Sequence, residues 1–87
     1  VGTHTHVQTA DEEVLPSGTA FISDVGMTGG HAGVIGMTYE SVIPKFLYGT
    51  PSKFEICNEG IKLQAVAISI DNETGRAMDI KRINISL

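Results

Sequence analysis

Apolar and polar positions alternate most regularly in the last third of the chain, and this alternation predicts an antiparallel meander. The pattern gives strands at 53–57, 61–70 and 76–87, with turns at 58–60 and 71–75 between them. In the last strand the apolar positions change parity near Lys81 and Arg82, which favours a bulge or a change of packing partner there. Residues 65–70 are apolar on both parities apart from Ser69, so this strand is expected to be covered on both faces.

The first quarter of the chain predicts a hairpin. Residues 14–15 and 19–23 are rich in β-forming side chains and flank the sequence Pro16-Ser17-Gly18. Proline pre-sets the backbone at the second position of such a turn, and glycine supplies the positive φ that follows.

A single short helix is predicted over residues 42–48. Ser41 is its expected N-cap, Pro44 is expected in the first turn, and Gly49 follows the last residue as a C-terminal cap. The apolar stripe of this helix, expected to be buried, consists of Val42, Ile43, Phe46 and Leu47.

One short helix cannot cover two faces of a sheet, which favours a missing cover. The chain also opens with valine, directly before the glycine of a histidine motif. Residues 1–87 are therefore expected to form a single segment of a longer protein, without an internal repeat or linker.

Glycine is concentrated between residues 24 and 36, which hold five of the ten glycines of the chain. Dense glycine indicates unusual φ values or close approach of the backbone to a neighbour. One interpretation is an omega-type surface loop, and the other is a loop that lines the same site as the histidines at the start of the chain. Asp24, at the beginning of this loop, has the side chain to orient an imidazole or hold a water.

Composition excludes several classes of protein. The hydrophobic share is 41%, the charged share 18% and the formal net charge −4, which fits a globular chain without a nucleic-acid-binding surface. The single cysteine, Cys57, cannot form an internal disulfide and is expected to be a buried, inert thiol. No apolar run has the ~20 residues of a membrane span, and a cytoplasmic location is the expectation.

His4 and His6 lie two residues apart, so an extended backbone over 3–7 would place both imidazoles on one face. Such a pair is suited to metal ligation, but zinc sites take about three or four protein ligands. The other candidates, Cys57 and His31, are distant in sequence, so most remaining ligands must come from elsewhere. The alternative is a solvated loop or a tag remnant. The neighbouring Gly2 and Val7 favour a loop at a strand end.

Several motifs occur together in order along the chain. They are Gly2-Thr3-His4-Thr5-His6-Val7-Gln8-Thr9, Leu15-Pro16-x-Gly18-Thr19-Ala20, Ser23-Asp24-Val25-Gly26-Met27-Thr28-Gly29 and Gly33-Val34-Ile35-Gly36-Met37. This combination resembles the bacterial YmdB-like metallophosphoesterases of the calcineurin-like superfamily, and the likeness covers essentially the whole chain. In that family the Gly-His-x-His motif is the last of several ligand motifs, so the resemblance implies a C-terminal third.

The resemblance implies an α+β fold, in which this chain is the β-rich end of a β-sandwich flanked by helices. The complete protein would have four layers, α/β/β/α. His4 would bind the second and His6 the first of two ions, iron or manganese, bridged by water or hydroxide. The other ligands and the acid-type histidine would precede residue 1. His31 departs from the family pattern and is interpreted as exposed and incidental, and the Gly29-Gly30 pair departs from the usual filling of its loop.

The function implied by the resemblance is hydrolysis of phosphodiesters, with 2′,3′-cyclic nucleotides as substrates and monoesters as side substrates. No catalytic residue beyond the ligands is expected in this segment, which would be inactive alone. Substrate contacts stay unassigned, with Thr5 and Asp24 as the candidates. The alternative is a small β-rich binding or oligomerising module whose histidines are idle or hold a zinc between chains. Catalysis by Cys57 with a histidine is a third, disfavoured hypothesis.

Overall fold

The computed structural model describes all 87 residues and contains one helix and five strands. The elements are β1 (Glu13–Val14), β2 (Ala20–Phe21), β3 (Gly29–Gly30), α1 (Tyr39–Tyr48), β4 (Ile61–Ile70) and β5 (Ala77–Ser86). β1 and β2 form the expected hairpin, and β3, β4 and β5 form a three-stranded antiparallel sheet in that order. The α+β, β-rich class expected for this segment is confirmed.

The two long strands match their predicted bounds closely, but the strand predicted at 53–57 is wrong. Only an isolated bridge forms there, between Ile56 and Met37. The backbone around it pairs with the irregular loop before α1, because Cys57 N–H donates to the Gly36 carbonyl at 2.8 Å. A loop offers too few aligned groups for the ladder to continue, so β-forming residues alone do not make a strand here.

The bulge predicted near Lys81 and Arg82 is also misplaced. Pairing of β4 with β5 is regular from Lys62 opposite Ser86 to Ser69 opposite Asp79, and the irregularity lies beyond Ser69. The change of parity instead reflects different cover along β5. Ile80 is 8% exposed, whereas Ile85 is 51% exposed.

α1 begins earlier than its pattern predicts. The N-cap is Thr38, whose hydroxyl accepts a hydrogen bond from the Ser41 N–H at 3.3 Å, so Ser41 lies within the first turn. Thr38 is held extended because its own N–H donates to the Glu55 carbonyl, 2.9 Å away. The assignments of Ser41 as N-cap and of Pro44 to the first turn are therefore wrong, whereas Gly49 caps the C-terminus with a φ of 66° as predicted.

The apolar stripe of α1 is mostly uncovered, contrary to expectation. Val42 is buried, but Ile43, Phe46 and Leu47 are exposed. The helix packs only weakly against the strands of this chain, so nothing here shields its stripe. α1 is too short and insufficiently apolar to act as a membrane span.

The chain does not close a core around itself. Only 7 of 87 residues are buried, and the radius of gyration is 17.0 Å, compared with ~12 Å for a compact domain of this length. The accessible surface is 6172 Å², against about 5,000 Å² for a folded monomer of this mass. Ile68 and Ile70 of β4 remain exposed, so the cover predicted for that strand is not supplied by these residues. This weighs against a self-contained module.

Candidate functional site

The histidine motif is a bend and not a strand. Residues 4–7 have no ladder partners, and His6 has a φ of 62°, in the left-handed region that side chains other than glycine rarely adopt. The extended backbone considered for 3–7 is therefore wrong. The cause is a carboxylate that the bend encloses.

That carboxylate belongs to Asp24, which is 3% exposed. Its Oδ2 accepts hydrogen bonds from the His4 N–H at 3.0 Å, the Thr5 N–H at 2.6 Å and the Thr5 hydroxyl at 2.7 Å. Its Oδ1 accepts one from the Gly26 N–H at 2.9 Å. Asp24 therefore binds the backbone of the motif and not an imidazole. The Thr5 hydroxyl, followed by these N–H groups, holds the pKa of Asp24 well below its usual range.

Gly2 is required because the motif runs directly beside the residues after β2. Its N–H donates to the Ile22 carbonyl at 3.0 Å, and its carbonyl accepts from the Val25 N–H at 2.9 Å. A Cβ at Gly2 would overlap the carbonyl oxygen of Ser23. The glycine of the motif thus allows the close approach that brings Asp24 to the bend.

Gln8 is a positioning residue that the sequence analysis missed. Its amide nitrogen lies within 3.0–3.2 Å of the carbonyl oxygens of Val25, Ala65 and Ile83, so it ties the motif to β4 and β5. A signal for it existed, because Gln8 continues the spacing of two from His4 and His6.

The two histidines differ in their surroundings. His4 is exposed, whereas His6 is half-buried and its Nδ1 is shielded from solvent without a hydrogen-bond partner. A shielded ring nitrogen requires a metal ion or an acceptor for its proton. No group of three or more His, Cys, Asp or Glu side chains comes together in the chain, so any ion at His6 needs further ligands from outside these residues.

The glycine-rich loop lies against this motif. A cavity of about 100 Å³ separates them, with Thr5 and His6 on one side and Met27, His31 and Ile35 among the residues of the loop. The interpretation of His31 as exposed and incidental is wrong. It is half-buried, and its Nε2 lies 2.9 Å from the Met27 carbonyl.

Cys57 is buried, as expected, and takes no part in this arrangement. Its thiol lies 3.3 Å from the Ala32 carbonyl and 3.4 Å from the Glu59 carbonyl. It also packs against Gly30, where a Cβ would overlap the Cys57 carbonyl.

A second carboxylate, Asp11, fixes the other end of the motif and predicts a loss of stability in acid. The Ser23 hydroxyl, then the Thr9 hydroxyl and the Ser23 N–H, lower the pKa of Asp11 to about 2. An unfolded aspartate titrates near ~3.9, so this stabilisation is complete above pH ~4 and is lost as the pH falls towards ~2. Urea midpoints of the full-length protein between pH 5 and pH 2 should therefore fall less in Asp11→Asn than in wild type.

The matched control for that measurement is Asp79→Asn, at an exposed position on β5. It should follow the wild-type pH dependence. Parallel curves for wild type and Asp11→Asn would show that these hydrogen bonds do not favour the ionised carboxylate.

The fold and the bend together define a rigid pair of imidazoles presented by a β-rich scaffold, with the rest of any ligand set outside the segment. Residues 1–83 match the model of the YmdB-like protein family, and the chain belongs to that family. The resemblance drawn from the motifs is confirmed.

Three relatives show how the chain compares with known proteins. A 2′,3′-cyclic-nucleotide 2′-phosphodiesterase of Bacillus subtilis (strain 168) is 49% identical over 86 residues, which are 99% of this chain and 33% of that protein. A crystal structure of a novel phosphatase from Mycoplasma pneumoniae superposes with a TM-score of 0.88 at 40% identity, covering 98% of this chain and 31% of that one. A hypothetical protein from Thermus thermophilus gives a TM-score of 0.86 at 36% identity, with 98% and 33% covered. The chain spans about a third of the length of these relatives.

Proposed function

We propose that this chain is the part of a metal-dependent phosphodiesterase that supplies two imidazole ligands, His4 and His6, to a centre of two ions. The observation that carries the proposal is the shielded, unpartnered Nδ1 of His6, on a bend that Asp24 holds in place. The names of the Bacillus and Mycoplasma relatives, a phosphodiesterase and a phosphatase, support the reaction class.

The donor set fits iron or manganese. Imidazole nitrogens with carboxylate oxygens suit both ions, and the buried Cys57 thiol is not needed. A metal-bound imidazole uses one ring nitrogen for the ion and donates the proton of the other to an acceptor. Either role gives the shielded Nδ1 of His6 the partner that it lacks in this segment.

The residues of this chain would position the ligands and shield them. Two bound ions would activate a water and neutralise charge on the phosphoryl group. Asp24 keeps the backbone of His4 and Thr5 in place before any ion binds, so the ligands lose little freedom on ligation. The glycine-rich loop closes one side of His6.

The absence of basic side chains near the motif supports a substrate whose charge is met by the ions. No lysine or arginine lines the cavity beside His6, and the formal net charge of the chain is −4. By similarity to the Bacillus relative, nucleoside 2′,3′-cyclic phosphates are the proposed substrates, with phosphomonoesters as side substrates.

The test is chelation and reconstitution of the full-length protein. Turnover of bis-p-nitrophenyl phosphate and of a nucleoside 2′,3′-cyclic phosphate should be lost after removal of metal and return with Mn²⁺ or Fe²⁺. Activity that survives complete removal of metal, or none with either ion, would reject the proposal.

A non-catalytic oligomerising module is the second candidate, and the exposed side chains of α1 favour it, Phe46 and Leu47 being 80% and 68% exposed. Sedimentation of the full-length protein separates the two. Association that depends on α1, together with a lack of turnover in the chelation test, would support the module.

A further inference from the structure

We infer that the cavity between the histidine motif and the glycine-rich loop is the subsite for the base of a nucleotide substrate. This inference rests on the proposed function and adds to it the part of the substrate that lies beyond the phosphate. The cavity touches His6 directly, so a group bound there would be adjacent to a proposed metal ligand.

The walls of the cavity select an uncharged group. Its principal side chains are those of Thr5, His6, Val7, Met27, His31 and Ile35. No lysine, arginine, aspartate or glutamate lines it, so neither a phosphate nor a cation would be matched there. Val7, Met27 and Ile35 supply apolar surface, and a methionine thioether packs favourably against an aromatic ring.

Backbone strain converges on this cavity from both sides. The chain has two residues other than glycine with positive φ, His6 at 62° and Ile35 at 43°, and both line it. A branched side chain at such a φ is unfavourable, and strain of this kind clusters at ligand sites. Ile35 is 61% exposed, so burial of its side chain within the chain does not explain the strained conformation. An apolar wall for a ligand does.

His31 supplies a directional contact. Its Nε2 lies 2.9 Å from the Met27 carbonyl, which can only accept, so the proton is on Nε2 and Nδ1 is an acceptor. An acceptor beside apolar walls matches a flat ring that carries an amino group. The Thr5 hydroxyl is not available for this purpose, because it donates to Asp24 or to the Val7 carbonyl.

The test compares two substrates of the full-length protein, adenosine 2′,3′-cyclic phosphate and 1-O-methylribose 2′,3′-cyclic phosphate, which lacks the base. The ratio of their kcat/KM values should be at least tenfold in favour of the nucleotide in wild type. It should fall at least fivefold in Ile35→Gly. Glycine tolerates the φ of 43° without strain, so this variant should unfold no more easily than wild type, and a fall in the ratio would not reflect misfolding.

The control is Met78→Ala, a truncation of an apolar residue on β5 that does not line the cavity, and it should keep the wild-type ratio. If wild type hydrolyses both substrates at the same rate, or Ile35→Gly leaves the ratio unchanged, the subsite is wrong and the proposed function stands. If wild type hydrolyses neither substrate with Mn²⁺ or Fe²⁺, the proposed function fails and the subsite fails with it.

Discussion

Replacement of His6 by alanine in the full-length protein should reduce kcat/KM for bis-p-nitrophenyl phosphate by about a thousandfold or more, with loss of one bound ion per chain. The imidazole of His6 is the better prepared of the two ligands, because it is half-buried and its Nδ1 has no other partner. Loss of a ligand removes the ion and with it the charge stabilisation that the ion supplies. Kinetics and metal analysis of the same samples would measure both effects.

The backbone of His6 complicates this experiment, because alanine at a φ of 62° is also strained. His6→Gly is therefore the matched variant. It removes the imidazole but accepts the left-handed conformation, so it should lose activity as alanine does while keeping its thermal stability. Unchanged turnover in His6→Gly and His4→Ala would rule out both ligand assignments.

Substitution of Asp24 by alanine should weaken metal binding by about tenfold to a hundredfold, the range typical of residues that orient ligands. Its carboxylate accepts hydrogen bonds from the backbone of His4, Thr5 and Gly26 and from the Thr5 hydroxyl. Without it these donors lack an acceptor, and the bend that brings His6 into position is no longer fixed. Metal competition and kinetics at increasing Mn²⁺ would measure the change.

Those measurements also separate positioning from substrate binding, the role for which Asp24 and Thr5 were candidates. If Asp24 positions ligands, saturating Mn²⁺ should restore much of kcat in Asp24→Ala, with KM little changed. Thr5→Val removes one of the four hydrogen bonds of the carboxylate and should show a smaller effect of the same kind. A raised KM with unaltered metal affinity would instead assign Asp24 to the substrate.

Local signals in the sequence were sufficient for part of the fold. The hairpin, β4, β5 and the Gly49 cap were predictable because a turn, a run of β-forming residues or a positive φ is decided by near neighbours. The start of α1 was not, since Thr38 and Ser41 are both good N-caps. The choice of Thr38 depends on its contact with Glu55, seventeen residues away.

The site shows the same division. Spacing and resemblance identified His4 and His6, but not the bend between them, which arises from the distant Asp24. The contact of His31 with Met27 likewise depends on how the glycine-rich loop folds back, which no pattern of residue types encodes.

The sequence by itself determined the family, the β-rich class, the two long strands and the pair of candidate ligands. These follow from motifs and from alternation over a few residues. The tertiary structure decided how the motif is held, which glycine must lie beside Ser23, and which residues share a cavity with His6. It also showed that the stripe of α1 and the outer part of β4 remain uncovered in this chain. The reason is physical: hydrogen bonds and burial between residues far apart in sequence depend on where the backbone brings them together, and composition does not record that.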